Sequence, residues 1–130
     1  FSMGTVLGLL AVHGDAGLES FRDHALSDPA VAAFRDKVGM TLDDEVDAAY
    51  PKRWLGRVEV RTRSGACFQG AIDDPKGDPG NTLSRAELAD KARRLAAFSG
   101  AASPAEIDAL IGRVWQLRTA PRIGALLPSS

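Results

Sequence analysis

RVEVRTRSGACFQGAID, residues 57–73, is the stretch that decides the fold, because it predicts a β-hairpin between helical segments. Its outgoing half alternates valine with charged residues, which is typical of a strand with one apolar face. Ser64-Gly65 is placed to make the turn. The return strand carries Phe68 and Ile72 on one face. Because two strands alone are marginally stable, the hairpin needs helices beside it.

Helices are predicted on the N-terminal side of this hairpin. Residues 3–12, MGTVLGLLAV, are apolar on nearly every face, so we expect a helix that is buried all round. Gly4 and Gly8 would let another backbone approach one face of it closely. Gly14 is a plausible residue to end this helix. Asp28-Pro29 is a strong start for another, with Asp28 as N-cap.

The segment just before the hairpin is less regular. Residues 40–42, Met-Thr-Leu, are compatible with a short strand or an extended segment. The acidic run at residues 43–47 is most often a solvated loop. It lacks the glycine and the spacing of a calcium-binding loop, so no metal is expected there.

Two helices are predicted after the hairpin. A polar Pro/Gly loop at residues 73–82 leads to a capping box of Ser84 with Glu87, and a second box pairs Ser103 with Glu106. Residues 123–127 are compatible with one last turn. The final helix presents an apolar stripe: Ile107, Leu110, Ile111, Val114, Trp115 and Leu117. The predicted class is α+β, a small antiparallel β-sheet with helices packed on one face, flanked by N- and C-terminal helices.

Composition excludes several classes of protein. The chain has 130 residues, 16 Lys and Arg against 17 Asp and Glu, and 45% hydrophobic residues, which excludes a disordered chain and a disulfide scaffold. The near-zero net charge argues against a nucleic-acid partner. The longest apolar run is shorter than the ~20 residues of a membrane span, so no membrane partner is expected. Cys67 is the single cysteine, which suits a reducing cytoplasm.

Few residues offer chemistry. His13 and His24 have no second ligand at metal spacing, so the predicted metal complement is none. Cys67 lies in mid-strand, where a buried, inert thiol is expected. The loop around Lys76 fails the phosphate-loop template because the lysine precedes the glycines. The N–H groups of the helix that follows could still receive an anion such as a substrate carboxylate, although a plain connector fits the same residues.

One phrase resembles a known family. Residues 75–84, PKGDPGNTLS, followed by Glu87-Leu88 and Lys91, are similar to the pattern p-k-G-d-p-x-n-P-L-s-x-x-e-L-x-x-K-F of the 2-methylcitrate dehydratase (MmgE/PrpD) family. Weaker similarities lie at residues 1–14, 28–38 and 58–65. Together, these similarities follow the order and spacing of the family pattern over about residues 1–117.

The resemblance implies a cofactor-free lyase or isomerase (a dehydratase, decarboxylase or epimerase) acting on small di- and tricarboxylates such as 2-methylcitrate or cis-aconitate. Family members resemble one another in having a large helical domain and a smaller α+β lid, with the site between them. Residues 1–91 would be the lid-type domain and residues 92–130 a helical tail that returns to an upstream helical domain. A homodimer is expected. Because the chain opens on Phe1 and most of the family's catalytic positions lie upstream, we expect an inactive piece of a longer protein.

The resemblance also suggests site residues. Thr5 stands where the family's S-x-x-Y segment has tyrosine, and threonine lacks the reach of a phenol. Lys76, Gly77 and Asn81 are the candidate substrate-binding residues of the loop. A non-catalytic α+β binding module is the alternative reading. An RNA-binding sheet is disfavoured, because the strands lack paired exposed aromatic residues.

Overall fold

The structure, a computed structural model, describes residues 2–122 and Gly124. The elements run in chain order as α1 (Met3–His13), α2 (Leu18–Asp23), α3 (Pro29–Arg35), α4 (Asp44–Ala49), β1 (Gly56–Arg61), β2 (Cys67–Ile72), a 3-10 turn (Pro79–Asn81), α5 (Arg85–Ser99) and α6 (Pro104–Gln116). This confirms the α+β class. The turn predicted at residues 123–127 lies outside the described residues, apart from the single position Gly124.

The chain divides into two compact units. Unit 1 comprises residues 1–41 with 98–100, and unit 2 comprises residues 42–97 with 101–130. The predicted division between a lid-type domain and a tail after residue 91 remains a prediction.

Unit 1 is organised by a close contact between α1 and α3. A Cβ atom built on Gly8 would lie 2.9 Å from the carbonyl oxygen of Val31 and 3.1 Å from its Cγ1. One built on Gly4 would lie 2.9 Å from Cγ of Arg35. The two glycines therefore admit α3 against this face of α1, as predicted. Leu9 and Val31 are completely buried beside the contact.

The prediction that α1 is buried on every side is wrong for this chain. Its buried residues are Thr5, Gly8 and Leu9, which share one side, whereas Met3 and Leu10 are about half exposed. The reason is that α3, with a smaller contribution from α2, covers only that side. An apolar strip of α1 is left uncovered.

The ends of these helices follow the sequence signals. Gly14 adopts a left-handed conformation at φ 74° and donates its N–H to the carbonyl of Leu10, which ends α1. Asp28 caps α3 by accepting the N–H of Ala30, with Pro29 as first helical residue.

In unit 2 the hairpin has the predicted faces. Val60 lies opposite Phe68, and Glu59 opposite Gln69, so apolar and polar pairs alternate along the ladder. Gly65 makes the turn at φ 85°. All strand residues except Gly56 are exposed, so the apolar face that we expected helices to cover is largely accessible. Glycine at positions 56 and 70 reduces the apolar area that this face offers for burial.

Two details before and within the hairpin correct the sequence analysis. The acidic run forms α4 rather than a loop, whereas residues 40–42 belong to no strand, which is compatible with the extended segment that was the other alternative. Asp43 caps that helix by accepting the N–H groups of Glu45 and Val46, and acidic side chains are favourable at a helix N-terminus. Arg57 of β1 then holds both Asp43 and Glu45, at 2.8 and 2.6 Å. Cys67, expected to be buried, is exposed, like the rest of β2, because no helix of the described residues packs over that strand.

Helices α5 and α6 begin as predicted. The capping box at Ser103 and Glu106 is complete, and Ser84 and Glu87 exchange the same two hydrogen bonds. Arg93 of α5 contacts Asp108 of α6 at 2.7 Å, and the guanidinium of Arg85 lies 4.9 Å from the centre of the Trp115 ring. The apolar stripe of α6 contains no fully buried side chain.

Candidate functional site

The predicted substrate-binding residues lie in one closed loop of unit 2. Gly77, at φ 108°, donates its N–H to the carbonyl of Asn81 at 2.8 Å. The Asn81 side chain donates to the carbonyl of Asp74 at 3.0 Å. Gly80 packs directly against the Asp74 carboxylate, which would have to turn aside for a side chain at position 80. The structure therefore brings Lys76, Gly77 and Asn81 together, with the polar groups of the loop bonded to one another.

The cation of this loop already has a carboxylate partner. Lys76 Nζ lies 2.9 Å from Oε1 of Glu87, and the other carboxylate oxygen accepts the N–H of Ser84 at 2.7 Å. The hydrogen bond from the Ser84 backbone, with smaller effects of Lys76 and the Ser84 hydroxyl, lowers the pKa of Glu87 from its usual 4.5 to about 2. An internal carboxylate thus occupies the position at the start of α5 that the sequence suggested for a substrate carboxylate.

Thr5 lies in unit 1, within the first turn of α1. Its side chain is buried, with a relative exposure of 6%. Its hydroxyl donates to Oγ of Ser2 at 3.1 Å, and the same Oγ accepts the backbone N–H of Thr5 at 3.2 Å. The hydroxyl of Thr5 is therefore part of the N-terminal cap of α1.

A third group of side chains was missed by the sequence analysis. His13, the last residue of α1, places Nε2 2.7 Å from Oδ2 of Asp28. The rings of His13 and His24 are stacked, with centroids 4.3 Å apart and planes 19° from parallel. In the described part of the chain, these three residues form the one group of His, Cys, Asp and Glu whose ligand atoms converge within 4.8 Å.

Part of this group was detectable in the sequence. His24 and Asp28 are four residues apart, which places two side chains on one face if the chain makes a helical turn. It does so, because the N–H of Asp28 donates to the carbonyl of His24 at 3.2 Å. The approach of His13, fifteen residues from Asp28, depends on how α1 packs and leaves no local signal.

The pKa of Asp28 is lowered, first by the hydrogen bond from the Ala30 backbone and then by the one from His13. Its carboxylate is therefore ionised at neutral pH and carries the negative charge of the group. Asp28 also faces the N-terminus of α3, where a negative charge is favourable.

Taken together, the elements define an α+β chain in which every helix except α2 begins at a side-chain cap, and in which the loop before α5 holds a lysine against a carboxylate. Residues 1–117 match the family described as the MmgE/PrpD C-terminal domain, and the chain belongs to this family. Comparison with curated proteins and with solved structures gave no match. Among the described residues, no helix combines the length and the apolar character needed to cross a bilayer.

Proposed function

We propose that this chain acts as the lid-type C-terminal part of an MmgE/PrpD enzyme, a cofactor-independent lyase or isomerase of small di- and tricarboxylates. The observation that carries the proposal is the family match over residues 1–117. In this proposal residues 1–91 form the lid and residues 92–130 a tail directed to a helical domain. The enzyme would act as a cytoplasmic homodimer, a setting in which a single cysteine stays reduced.

In a dehydratase or epimerase of this kind, a base removes a proton next to a substrate carboxylate; an acid group then protonates the departing hydroxyl so that it leaves as water, or a proton returns to the carbon on the other face. In a decarboxylase, CO₂ leaves first and an acid group adds a proton to the carbanion that remains. Negative charge develops on the carboxylate in the enolate-like intermediate, and cationic groups stabilise it. The helical domain supplies most acid and base groups in this proposal. The lid closes over the substrate and excludes water.

Lys76 is the proposed substrate contact within the chain. About half of its side chain is exposed, so its ammonium can exchange the Glu87 carboxylate for that of a substrate. Gly77 and Asn81 are assigned to substrate binding through the shape that they give the loop, because their described donors are already used within it. Exchange of one carboxylate for another keeps the ammonium paired throughout, which lowers the cost of substrate binding.

Thr5 is the proposed counterpart of the family's tyrosine. Its hydroxyl is held by Ser2, so it would act on the substrate from a fixed position at the start of α1. Thr5→Val keeps the volume and removes the hydroxyl. In the active enzyme we expect it to lower kcat/KM while leaving the melting temperature nearly unchanged. An unchanged kcat/KM would assign Thr5 to the cap alone.

The test compares the 130-residue chain with the full product of the gene that encodes it. Both are assayed without added cofactor on 2-methylcitrate, cis-aconitate and related acids. The proposal expects turnover of at least one acid by the full product and none by the chain alone. Turnover by the chain alone would overturn the division of roles between the two parts.

A matched pair of variants tests the lysine. Lys76→Met in the full product removes the charge and should lower kcat/KM at least about tenfold, the effect of losing one charge-assisted hydrogen bond. Lys52→Met, at an exposed position outside the loop, should leave it unchanged. If the full product binds these acids and converts none of them, the non-catalytic binding module is the better description.

A further inference from the structure

We propose that His13, His24 and Asp28 bind a divalent transition-metal ion, Zn²⁺ in particular, at the junction of the three helices of unit 1. Two imidazole nitrogens and one carboxylate oxygen form a donor set that Zn²⁺ accepts, with water as fourth ligand. This inference is independent of the reaction proposed above, because none of the three residues was assigned to it.

The three candidate ligand atoms lie close together in the structure. Ligand atoms around a tetrahedral Zn²⁺ lie about 3.4 Å apart, given bonds of about 2.1 Å. Here the three ligand atoms lie within 4.8 Å of one another, and the closest pair, His13 Nε2 and Asp28 Oδ2, is at 2.7 Å. Coordination therefore requires the close pair to open by less than an ångström and the His24 ring to turn toward it. Because the His13 and His24 rings are stacked at 19° from parallel, the two rings must also turn relative to one another before both present a nitrogen to one ion.

The backbone already holds two of the three ligands. Asp28 Oδ1 accepts the N–H of Ala30 at 2.7 Å, which fixes the carboxylate and leaves Oδ2 for the ion. The bond from the Asp28 N–H to the His24 carbonyl keeps those two residues one turn apart. Such supporting hydrogen bonds orient metal ligands in general.

The third ligand arrives from α1. His13 precedes Gly14, whose N–H bond to Leu10 ends the helix and sets the direction of the chain there. The side chains of His13 and Asp28 are 28% and 20% exposed, so an ion can reach them from solvent while most of each side chain stays covered. When Nε2 of His13 binds the ion, that nitrogen carries no proton. The single ring proton of the neutral imidazole is then on Nδ1, and it reaches that position by exchange with water.

The proposed ion would join α1, the turn after α2, and α3. The buried cluster that these elements share is small, consisting of Leu9, Ala25 and Val31 with Ala16 packed against it. A ligand that binds only the folded state shifts the equilibrium toward it. Zn²⁺ should therefore stabilise unit 1.

Titration of the 130-residue chain with Zn²⁺ alone, followed by isothermal calorimetry, tests the site. The background is Cys67→Ser, because the exposed thiol of unit 2 is a competing ligand. We expect one ion per chain, a higher melting temperature with Zn²⁺, and, with Co²⁺ in its place, the intense visible absorption of a tetrahedral site.

Two variants separate coordination from folding. His24→Gln removes one ligand and should weaken Zn²⁺ binding at least about tenfold. Asp28→Asn retains an N-cap residue, since asparagine caps as well as aspartate, but removes the anionic ligand and should weaken binding similarly. Glu19→Gln, an exposed acidic residue of α2, is the matched control and should leave affinity unchanged.

Absence of stoichiometric binding by the Cys67→Ser chain, with its three ligands intact, would overturn the proposal, as would equal affinity in His24→Gln. A Co²⁺ complex of the Cys67→Ser chain without tetrahedral absorption would also overturn it, and that measurement does not depend on the folding of the ligand variants.

Discussion

Gly8→Ala is the substitution that tests the packing of unit 1 most directly. The added methyl group would lie 2.9 Å from the carbonyl oxygen of Val31, a contact that real Cβ atoms essentially never make. Val31 is fully buried, and the oxygen belongs to the backbone of α3, so it cannot rotate aside. The two helices must move apart, which opens the contact around Leu9.

The expected magnitude follows from two opposing effects. Overpacking in a core typically costs about 1–3 kcal/mol, and a backbone neighbour favours the upper half of that range. Replacing glycine by alanine inside a helix gains about 1 kcal/mol. The net result is a free energy of unfolding lower by about 1–2 kcal/mol.

The same glycine-to-alanine substitution at two other helical positions serves as a control. Gly4→Ala meets Cγ of Arg35 at 2.9 Å and the Arg35 carbonyl oxygen at 3.4 Å; the closest neighbour is a side-chain atom that can shift by rotation, so we expect a smaller loss of stability than for Gly8→Ala. Gly112→Ala in α6 has no atom within 4 Å and should gain the full helix propensity, about 1 kcal/mol. The three variants should therefore rank by the rigidity of their neighbour.

Urea denaturation followed by far-UV circular dichroism measures the ranking, and hydrogen exchange of the α1 amides locates the effect in unit 1. A Gly8→Ala chain as stable as Gly112→Ala would refute the reasoning, because it would show that α3 does not approach α1 as closely as the structure has it.

Three further predictions concern the rest of the chain. Glu87 has a pKa of about 2 in the folded chain against a usual 4.5. Its contribution to stability is therefore complete above about pH 5 and is lost as the pH falls toward 2. Urea midpoints across this range should fall less steeply for Glu87→Gln than for the unsubstituted chain, and parallel curves would contradict the hydrogen bond from Ser84. Ser103→Ala removes the capping box of α6 and should cost about 1 kcal/mol. The urea midpoint against that of the unsubstituted chain measures this, and an unchanged midpoint would mean that the cap contributes nothing. The half-exposed apolar stripe of α6 should mediate self-association of the chain. Light scattering under reducing conditions should show an average mass that rises with concentration, and Ile111→Asp should abolish that rise. A chain that is monomeric at every concentration would show that the stripe is not an interface.

The parts of the fold that the sequence predicted are those set by neighbouring residues. The caps at Asp28, Ser84 and Ser103 join atoms no more than three residues apart, and the hairpin follows from alternation and one glycine turn. Helix α4 was missed because a short run of acidic residues reads as a solvated loop unless Asp43 is recognised as its cap.

The parts that were missed depend on what lies across space. Whether α1 is covered on every side, and whether Cys67 is buried, depends on which elements reach those surfaces. The loop at Lys76 was correctly placed before a capped helix, but the pairing of Lys76 with the capping Glu87 joins residues eleven apart through the fold of the loop. The meeting of His13 with Asp28 has the same origin.

The two-stranded hairpin has a consequence for how the chain behaves at high concentration. In the described part of the chain neither outer edge of the sheet is paired, and an open edge is a template for adding strands from other molecules. The edge of β1 carries Arg57, Glu59 and Arg61, whose charges oppose such addition, whereas β2 has no charged residue between Cys67 and Ile72. Of the two edges, that of β2 is therefore the less protected against added strands, and we expect Gln69→Lys to give it a charge of the kind that β1 already carries.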